Sequence, residues 1–428
     1  MFKRLTLATT AALLIVAPSA HATIGDVFYI DLENHNATQP SSYTGTQAIY
    51  GNPAAPFINS LITPGNPNAQ YVSYATHYNN VVATTLAPSV GNPTGSTIPA
   101  QTVHPSEPNY LWQEAGATDE VGNDNAPYTA GNIQTTPNLS GLLQAKGISW
   151  KSYQEDTDLL NTSGQNFNGA GGTITSNVAA ASQYEVPLTN FSGASAAYTN
   201  PYNGSDQYNF ATKHDGQLFF TDTNGGDNPT SSNVEASHYA PLQQLSTDLA
   251  NNTVGAYNLI TPDQYNDMHT ALSTNFTYDG VTYLAGTDAE QIALGDNFLS
   301  KIVPLIEASK AFQNNGEIVI WNDEDEGDTA ATDSQFSGVE IVISKLAKGN
   351  AYTNDVSFNH SSDLLTLQEI FGLTGTPLGG AAGATSLQSL YQAGAIPEPG
   401  TWALMLMGIG GLGAGLRIAR RKQMAAIA

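Results

Sequence analysis

The 428-residue chain contains no cysteine. Disulfides and thiolate metal sites are thereby excluded. Basic residues are also scarce: 13 Lys plus Arg face 37 Asp plus Glu. Between Thr23 and Ala395 there is no arginine, and seven lysines stand against 36 carboxylates, a balance of −29. A surface of that sign repels nucleic acid and anionic membranes, so neither is expected as a partner. Without arginine this segment cannot grip a phosphate through a bidentate guanidinium fork. If it handles phosphate, metal ions must supply the positive charge.

Both ends read as export segments. "MFKRLTLATTAALLIVAPSAHA" places Lys3 and Arg4 before an apolar run that closes on Ala20-His21-Ala22. This predicts a signal peptide over 1–22 and a mature protein from Thr23. At the other end, Pro397-Glu398-Pro399 precedes a Gly-rich apolar run from Trp402 to Leu416, then Arg417, Arg420, Arg421 and Lys422. At ~1.5 Å per residue, Trp402 to Ile418 covers roughly 25 Å, short for a ~30 Å hydrocarbon core. The basic cluster is expected to stay cytoplasmic. This tail, 396–424, resembles the PEP-CTERM sorting signal of Gram-negative bacteria. The resemblance implies a transient membrane anchor, recognition by sorting machinery, removal of the tail, and delivery to the cell surface, the extracellular matrix or the medium.

Residues 23–395 are left as one domain. Apolar runs recur along it: "DVFYIDLEN", "GISWKSY", "QLFF", "AYNLIT", "EIVIW" and "VEIVIS". Short continuous apolar runs are expected of parallel strands buried on both faces. Helical spacing appears between them. In "LGDNFLSKIVPLIEAS" Leu294, Phe298, Ile302 and Ile306 recur at four-residue intervals, with Pro304 arguing against an unbroken helix. "SSDLLTLQEIFGL" predicts a helix capped at Ser361 and Ser362 that ends near Gly372. Alternating strands and helices predict an α/β sandwich on a mostly parallel sheet. Residues 37–101 and 157–207, rich in Asn, Pro, Gly, Ser and Thr, read as long insertions over the sheet edge.

Ligands of open α/β sheets bind beyond the carboxyl ends of the strands. "VFYIDL" is followed by Glu33, Asn34 and His35. "AYNLIT" is followed by Asp263, Asn266, Asp267 and His269, and "EIVIW" by Asp323, Glu324, Asp325 and Glu326. His360 follows "VEIVIS" and a loop. Carboxylates gathered at one edge repel one another unless a cation joins them. Oxygen and imidazole donors without thiolate suit Zn, Mn, Fe, Mg or Ca, and the residue types do not choose among these. Taken singly, "NDEDEGD" is an ordinary solvated acidic loop and His269 an ordinary core histidine; only the constellation points to a site. "HPSEPNY", His104 to Tyr110, adds a serine between two prolines in a stretch that reads as loop.

In this order "YIDLEN", "HPSEPNY", "GISWKSYQED", "KHDGQLFF", "ITPDQYNDMH", "GDNFLSKIVPLIEAS", "IVIWNDEDEGD" and "NHSSDLLTLQEIFGL" resemble the phosphoesterase family. That family comprises secreted acid phosphatases and bacterial phospholipases C of the alkaline-phosphatase-like superfamily. The resemblance spans residues 25 to 373. It implies an α/β/α sandwich and a phosphate ester substrate, cleaved by Ser106 as a metal-seated nucleophile that becomes phosphoserine. It implies Glu33 and Asn34 as one metal-binding pair and Asp323 and Glu324 as the other, in preference to the overlapping Asp325 and Glu326. Asp267, His269 and His360 match metal-binding positions, and His214 a phosphate- or metal-binding one. Asn125 matches a phosphoryl donor, a place that Asn123 or Asp124 would also fill. His104 either contacts substrate or holds the Ser106 loop; Lys213 and Lys151 are further candidates for added charge. Two rival classes are a non-catalytic matrix protein that keeps the fold, and a sulfatase, which "SEPNY" disfavours by lacking the arginine of the S-x-P-x-R pattern.

Overall fold

The computed structural model describes residues 22–86, 96–125, 132–327 and 335–397. Nearly all of the predicted leader and the sorting tail beyond Pro397 lie outside the described residues. In chain order the strands are β1 (Val27–Leu32), β2 (Val72–Tyr74), β3 (Val82–Leu86), β4 (Ser96–Thr102), β5 (Trp150–Gln154), β6 (Leu159–Asn161), β7 (Ile174–Val178), β8 (Phe191–Ala194), β9 (Gln207–Phe210), β10 (Tyr239–Pro241), β11 (Tyr257–Thr261), β12 (Phe276–Tyr278), β13 (Val281–Tyr283), β14 (Glu317–Asn322) and β15 (Glu340–Ser344). The helices are α1 (Pro56–Leu61), α2 (Ser106–Ala115), α3 (Leu139–Ala145), α4 (Gln244–Asn251), α5 (Asp288–Glu307), α6 (Lys310–Gln313) and α7 (His360–Ile370).

Seven strands form the central sheet in the order β10-β5-β11-β1-β14-β15-β2. All run parallel except β15, which is antiparallel to both β14 and β2. The continuous apolar runs have the expected cause: every residue of β1, β11, β14 and β15 is buried. Alternate side chains serve two different cores. Phe28, Ile30, Ile318 and Ile320 pack with Ile58, Leu245, Phe298 and Ile302 from α1, α4 and α5. Tyr29, Val319 and Trp321 pack on the other face with Leu111, Leu143 and Leu364 from α2, α3 and α7. This is the predicted α/β/α sandwich. A one-residue slip of β14 would exchange the two sets, which fixes its register.

Four readings of the sequence are corrected. "QLFF" is not a strand but a 3₁₀ turn, Gly216–Phe219, because a short apolar run has no period that separates the two. Pro304 does not interrupt α5, whose apolar face from Ile292 to Ile306 is buried against the sheet. Packing there outweighs one missing hydrogen bond near the helix end. The segment 37–101 is more than an insertion over the sheet edge, since β2 is the outermost strand of the sheet and α1 packs on α5. The cap of helix α7 lies two residues before the expected Ser361. Asn359 is its cap, its side chain accepting from the Ser361 N–H at 3.0 Å, and the Ser362 hydroxyl accepts from the Asn359 N–H at 3.1 Å.

Candidate active site

The stretch "HPSEPNY" is the start of a helix, not a loop. Ser106 opens α2, and Pro108 falls in the first turn, where no intrahelical N–H is needed. Helical spacing puts Ser106 and Tyr110 one turn apart on the same face. Both reach Glu33 at the end of β1. Ser106 Oγ donates to Glu33 Oε2 at 3.0 Å, and the Tyr110 hydroxyl donates to Oε1 at 2.6 Å. Serine, tyrosine and carboxylate are all buried, and Ser106 is 2 % exposed.

Imidazoles complete the centre. His214, on the 3₁₀ turn Thr212–His214, stacks on Tyr110 with ring centroids 5.4 Å apart. Its Nε2 lies 3.1 Å from Glu33 Oε1 and its Nδ1 3.0 Å from Asp267 Oδ2. Nε2 makes no aligned hydrogen bond. Asp267 follows β11, and its Oδ1 accepts from the His269 N–H at 2.7 Å. The Glu33 N–H donates to the Asp267 carbonyl at 2.8 Å, joining two strand ends directly. One ligand atom each from Glu33, His214 and His269 lie within 4.8 Å of one another. Beyond β14, Asp323 is fully buried and neither carboxylate oxygen has a hydrogen-bond partner. Glu324 Oε2 meets His104 Nδ1 at 2.8 Å and accepts from Asn109 Nδ2 at 3.3 Å.

The electrostatics follow from this crowding. Burial, then the neighbouring Glu324 charge, pushes the Glu33 carboxyl up to about 8, although Lys213 and the Tyr110 bond pull it down. Burial and the Glu33 charge hold Asp323 and Asp267 well above the carboxylate range. Burial, with the Lys213 charge second, keeps His214 well below its usual value and His269 at about 4. Neutral imidazoles beside carboxylates that ionise only with help form a donor set that a divalent cation would complete. The partnerless Asp323 oxygens and the unaligned His214 Nε2 fit that reading. Asn34, at φ 54°, also keeps a buried Oδ1 without a partner.

Other predicted residues are placed as follows. Asp325 turns away, its Oδ2 accepting from the Asn80 N–H at 3.0 Å. His360 lies behind the site: Nε2 meets the Asp323 main-chain carbonyl at 2.5 Å, and Nδ1 faces the Tyr78 hydroxyl at 2.9 Å. Neither ring nitrogen is turned to a carboxylate of the site. Asn125 is exposed, its N–H donating to Asn123 Oδ1 at 3.0 Å, whereas Asp124 reaches the centre. Asp124 Oδ1 accepts from the Glu107 N–H at 3.1 Å, and its Oδ2 from Lys213 Nζ at 3.1 Å. Lys213 Nζ is also 3.3 Å from His269 Nε2. Lys151 is elsewhere, paired with Asp248.

Tyr110 and Asn109 belong to the site and were not singled out from the sequence, although the i, i+4 spacing of Ser106 and Tyr110 was there to read. A second carboxylate group, Glu155, Asp156 and Asp263, sits beyond the neighbouring ends of β5 and β11. Glu155 Oε1 accepts from Asn200 and Asn266 side chains, both at 2.8 Å, and Oε2 from the Asp263 N–H at 2.9 Å. It braces the loop that carries Asp267 and His269.

A serine at a helix start thus faces a buried carboxylate–imidazole centre at the carboxyl edge of a parallel sheet, the place where hydrolases of this architecture bind their substrates. The family comparison names the kind. Residues 98–374 match the model of the Phosphoesterase family, and residues 395–422 match the PEP-CTERM protein-sorting motif. The chain belongs to the Phosphoesterase family and is a phosphoric ester hydrolase carrying a sorting signal for export. It is 25% identical over 365 residues to a phosphatidylinositol-3-phosphatase of Mycobacterium tuberculosis, covering 84% of this chain and 81% of that protein. It is 26% identical over 273 residues to an acid phosphatase of Aspergillus fumigatus, covering 63% of this chain but 46% of that protein. A solved alkaline-phosphatase-superfamily protein from Vibrio parahaemolyticus aligns at a TM-score of 0.40 and 11% identity, over 87% of this chain and 73% of that one.

Proposed function

We propose that the protein is an exported, metal-dependent phosphomonoesterase that uses Ser106 as its nucleophile. One observation carries the reading: Ser106 Oγ lies 3.0 Å from Glu33 Oε2 at the start of a helix, inside a ring of buried carboxylates and neutral histidines. A serine hydroxyl is protonated at neutral pH and needs help to attack. In the proposed step Ser106 Oγ bonds to phosphorus and its proton passes to Glu33 Oε2, which accepts it in the ionised form that a nearby cation would favour. The ester oxygen then leaves with the bonding electron pair and takes up a proton, and water hydrolyses the phosphoserine to release phosphate. Glu33, His214 and His269, with Asp323 and Asn34 nearby, would hold a divalent cation, which supplies the positive charge that favours the ionised nucleophile and the phosphoryl oxygens. Of the seven lysines between Thr23 and Ala395, Lys213 is the one placed to add a second positive charge there.

Monoester chemistry is favoured because the relatives this chain resembles are named as phosphatases. The sorting motif supports action at the cell surface or beyond it. The test is a hydrolysis screen over phosphomonoesters, phosphodiesters and choline phospholipids, with metal stripped and then restored. Metal-dependent release of phosphate from monoesters is expected. Preferential diester cleavage would favour a phospholipase C-like enzyme, and no turnover of any ester would favour a matrix protein.

A further inference from the structure

We infer that Asp124 is a built-in competitor for the substrate's phosphoryl group; this rests on the phosphatase reading above. Two donors beside the nucleophile suit a phosphoryl oxygen. One is the backbone N–H of Glu107, the residue after Ser106, at the positive end of α2. The other is the ammonium of Lys213, next in sequence to His214 and 3.3 Å from His269 Nε2. Both are taken by a single carboxylate. Asp124 Oδ1 accepts from the first at 3.1 Å and Oδ2 from the second at 3.1 Å. A carboxylate presents two oxygens much as a phosphoryl group does, so Asp124 occupies the seat as an internal anion.

The residue is built to leave. Its side chain is 33% exposed, whereas Glu33, Asp267 and Asp323 around the nucleophile are buried. Pro105, the N-cap residue, offers no side-chain cap to α2, so the Glu107 N–H has Asp124 or an incoming oxygen to pair with. A permanently bound Asp124 would also add negative charge where a phosphate dianion must approach. Displacement by substrate removes that conflict, and return of Asp124 after turnover helps to expel product phosphate. A seat filled about nine-tenths of the time weakens apparent affinity about tenfold.

The test is calorimetric titration of inorganic phosphate into the metal-loaded protein, comparing wild type with Asp124→Asn and Asp124→Ala. Steady-state KM for an aryl phosphate is measured alongside. Both variants are expected to bind phosphate on the order of tenfold more tightly and to lower KM, because the charged competitor is gone. In a Lys213→Met background the gain from Asp124→Asn should shrink, since the contested donor is absent. Unchanged or weaker phosphate binding in both variants would overturn the inference and make Asp124 a positioner of Lys213. A gain that persists undiminished without Lys213 would overturn it as well. Wild-type protein that hydrolyses no ester fails the phosphatase reading alone, because phosphate binding is read without turnover.

Discussion

Replacing Ser106 by alanine separates two roles whose magnitudes differ widely. The hydroxyl makes one of three close contacts to Glu33, with the Tyr110 hydroxyl at 2.6 Å and His214 Nε2 at 3.1 Å remaining after its loss. A hydrogen bond to a charged group contributes about 1.5–3 kcal/mol net. Glu33, pushed up to about 8 by burial, is mostly protonated at neutral pH, so the lower end of that range applies. Ser106→Ala should therefore cost at most about 2 kcal/mol of stability. A structural serine would show that loss and little else. A nucleophile would show a fall in turnover of at least ~10³-fold, roughly 4 kcal/mol of transition-state stabilisation. The assay pairs thermal unfolding with rapid acid quench of a labelled phosphate ester. Wild type should yield phosphoserine at 106 and the variant none, with the fold preserved. If the alanine variant keeps about a tenth or more of wild-type turnover, a loss of only ~1.4 kcal/mol, and wild type yields no phosphoenzyme, the nucleophile assignment is wrong.

Asp323→Asn should lower bound metal and turnover together, read by elemental analysis and rate; full activity after exhaustive chelation with no metal detected would refute metal dependence. Tyr110→Phe removes the 2.6 Å bond to Glu33 and should shift the pH–rate profile while sparing the fold, which a purely packing role would not do. Stability should fall as pH rises from about 4.5 to 7, because burial raises Glu114 and Asp158 each to about 7, so the folded state binds more protons than the unfolded one across that window. Each group contributes a slope of up to about 1.4 kcal/mol per pH unit, and Glu114→Gln should flatten the calorimetric profile. Truncation after Pro397 should leave a folded enzyme, whereas truncation after Ala395 should lower Tm, since Ile396 is 1 % exposed within the core.

What could be read from the sequence follows from where the sheet leaves chemistry room. A strand buried on both faces is made mostly of apolar side chains, so "VFYIDL" and "EIVIW" announce both their fold and the position of the residues after them. Glu33, Asp267 and Asp323 were legible for that reason. The two outermost strands are largely buried as well, but they are too short to show a run. "VSY" at β2 and "YAP" at β10 are three residues long and lie in polar surroundings, and nothing in their pattern marks them. Contacts made across the chain were harder still. Ser106 and Glu33 are 73 positions apart, and Lys213 and Asp124 are 89 apart. Distances of that kind are set by packing, and local composition does not encode them. The "VGNDN" segment shows the limit at single-residue scale. Its matching by position favoured Asn125, a neutral donor, yet the fold turns Asp124 inward and leaves Asn125 exposed. That one-residue difference puts a carboxylate, in place of a neutral amide, beside the start of α2. A domain without arginine between Thr23 and Ala395, with one lysine at its centre, then holds that lysine against a carboxylate until a stronger anion arrives. The scarcity of positive charge visible in the composition thus becomes, at the site, competition between two anions for one cation.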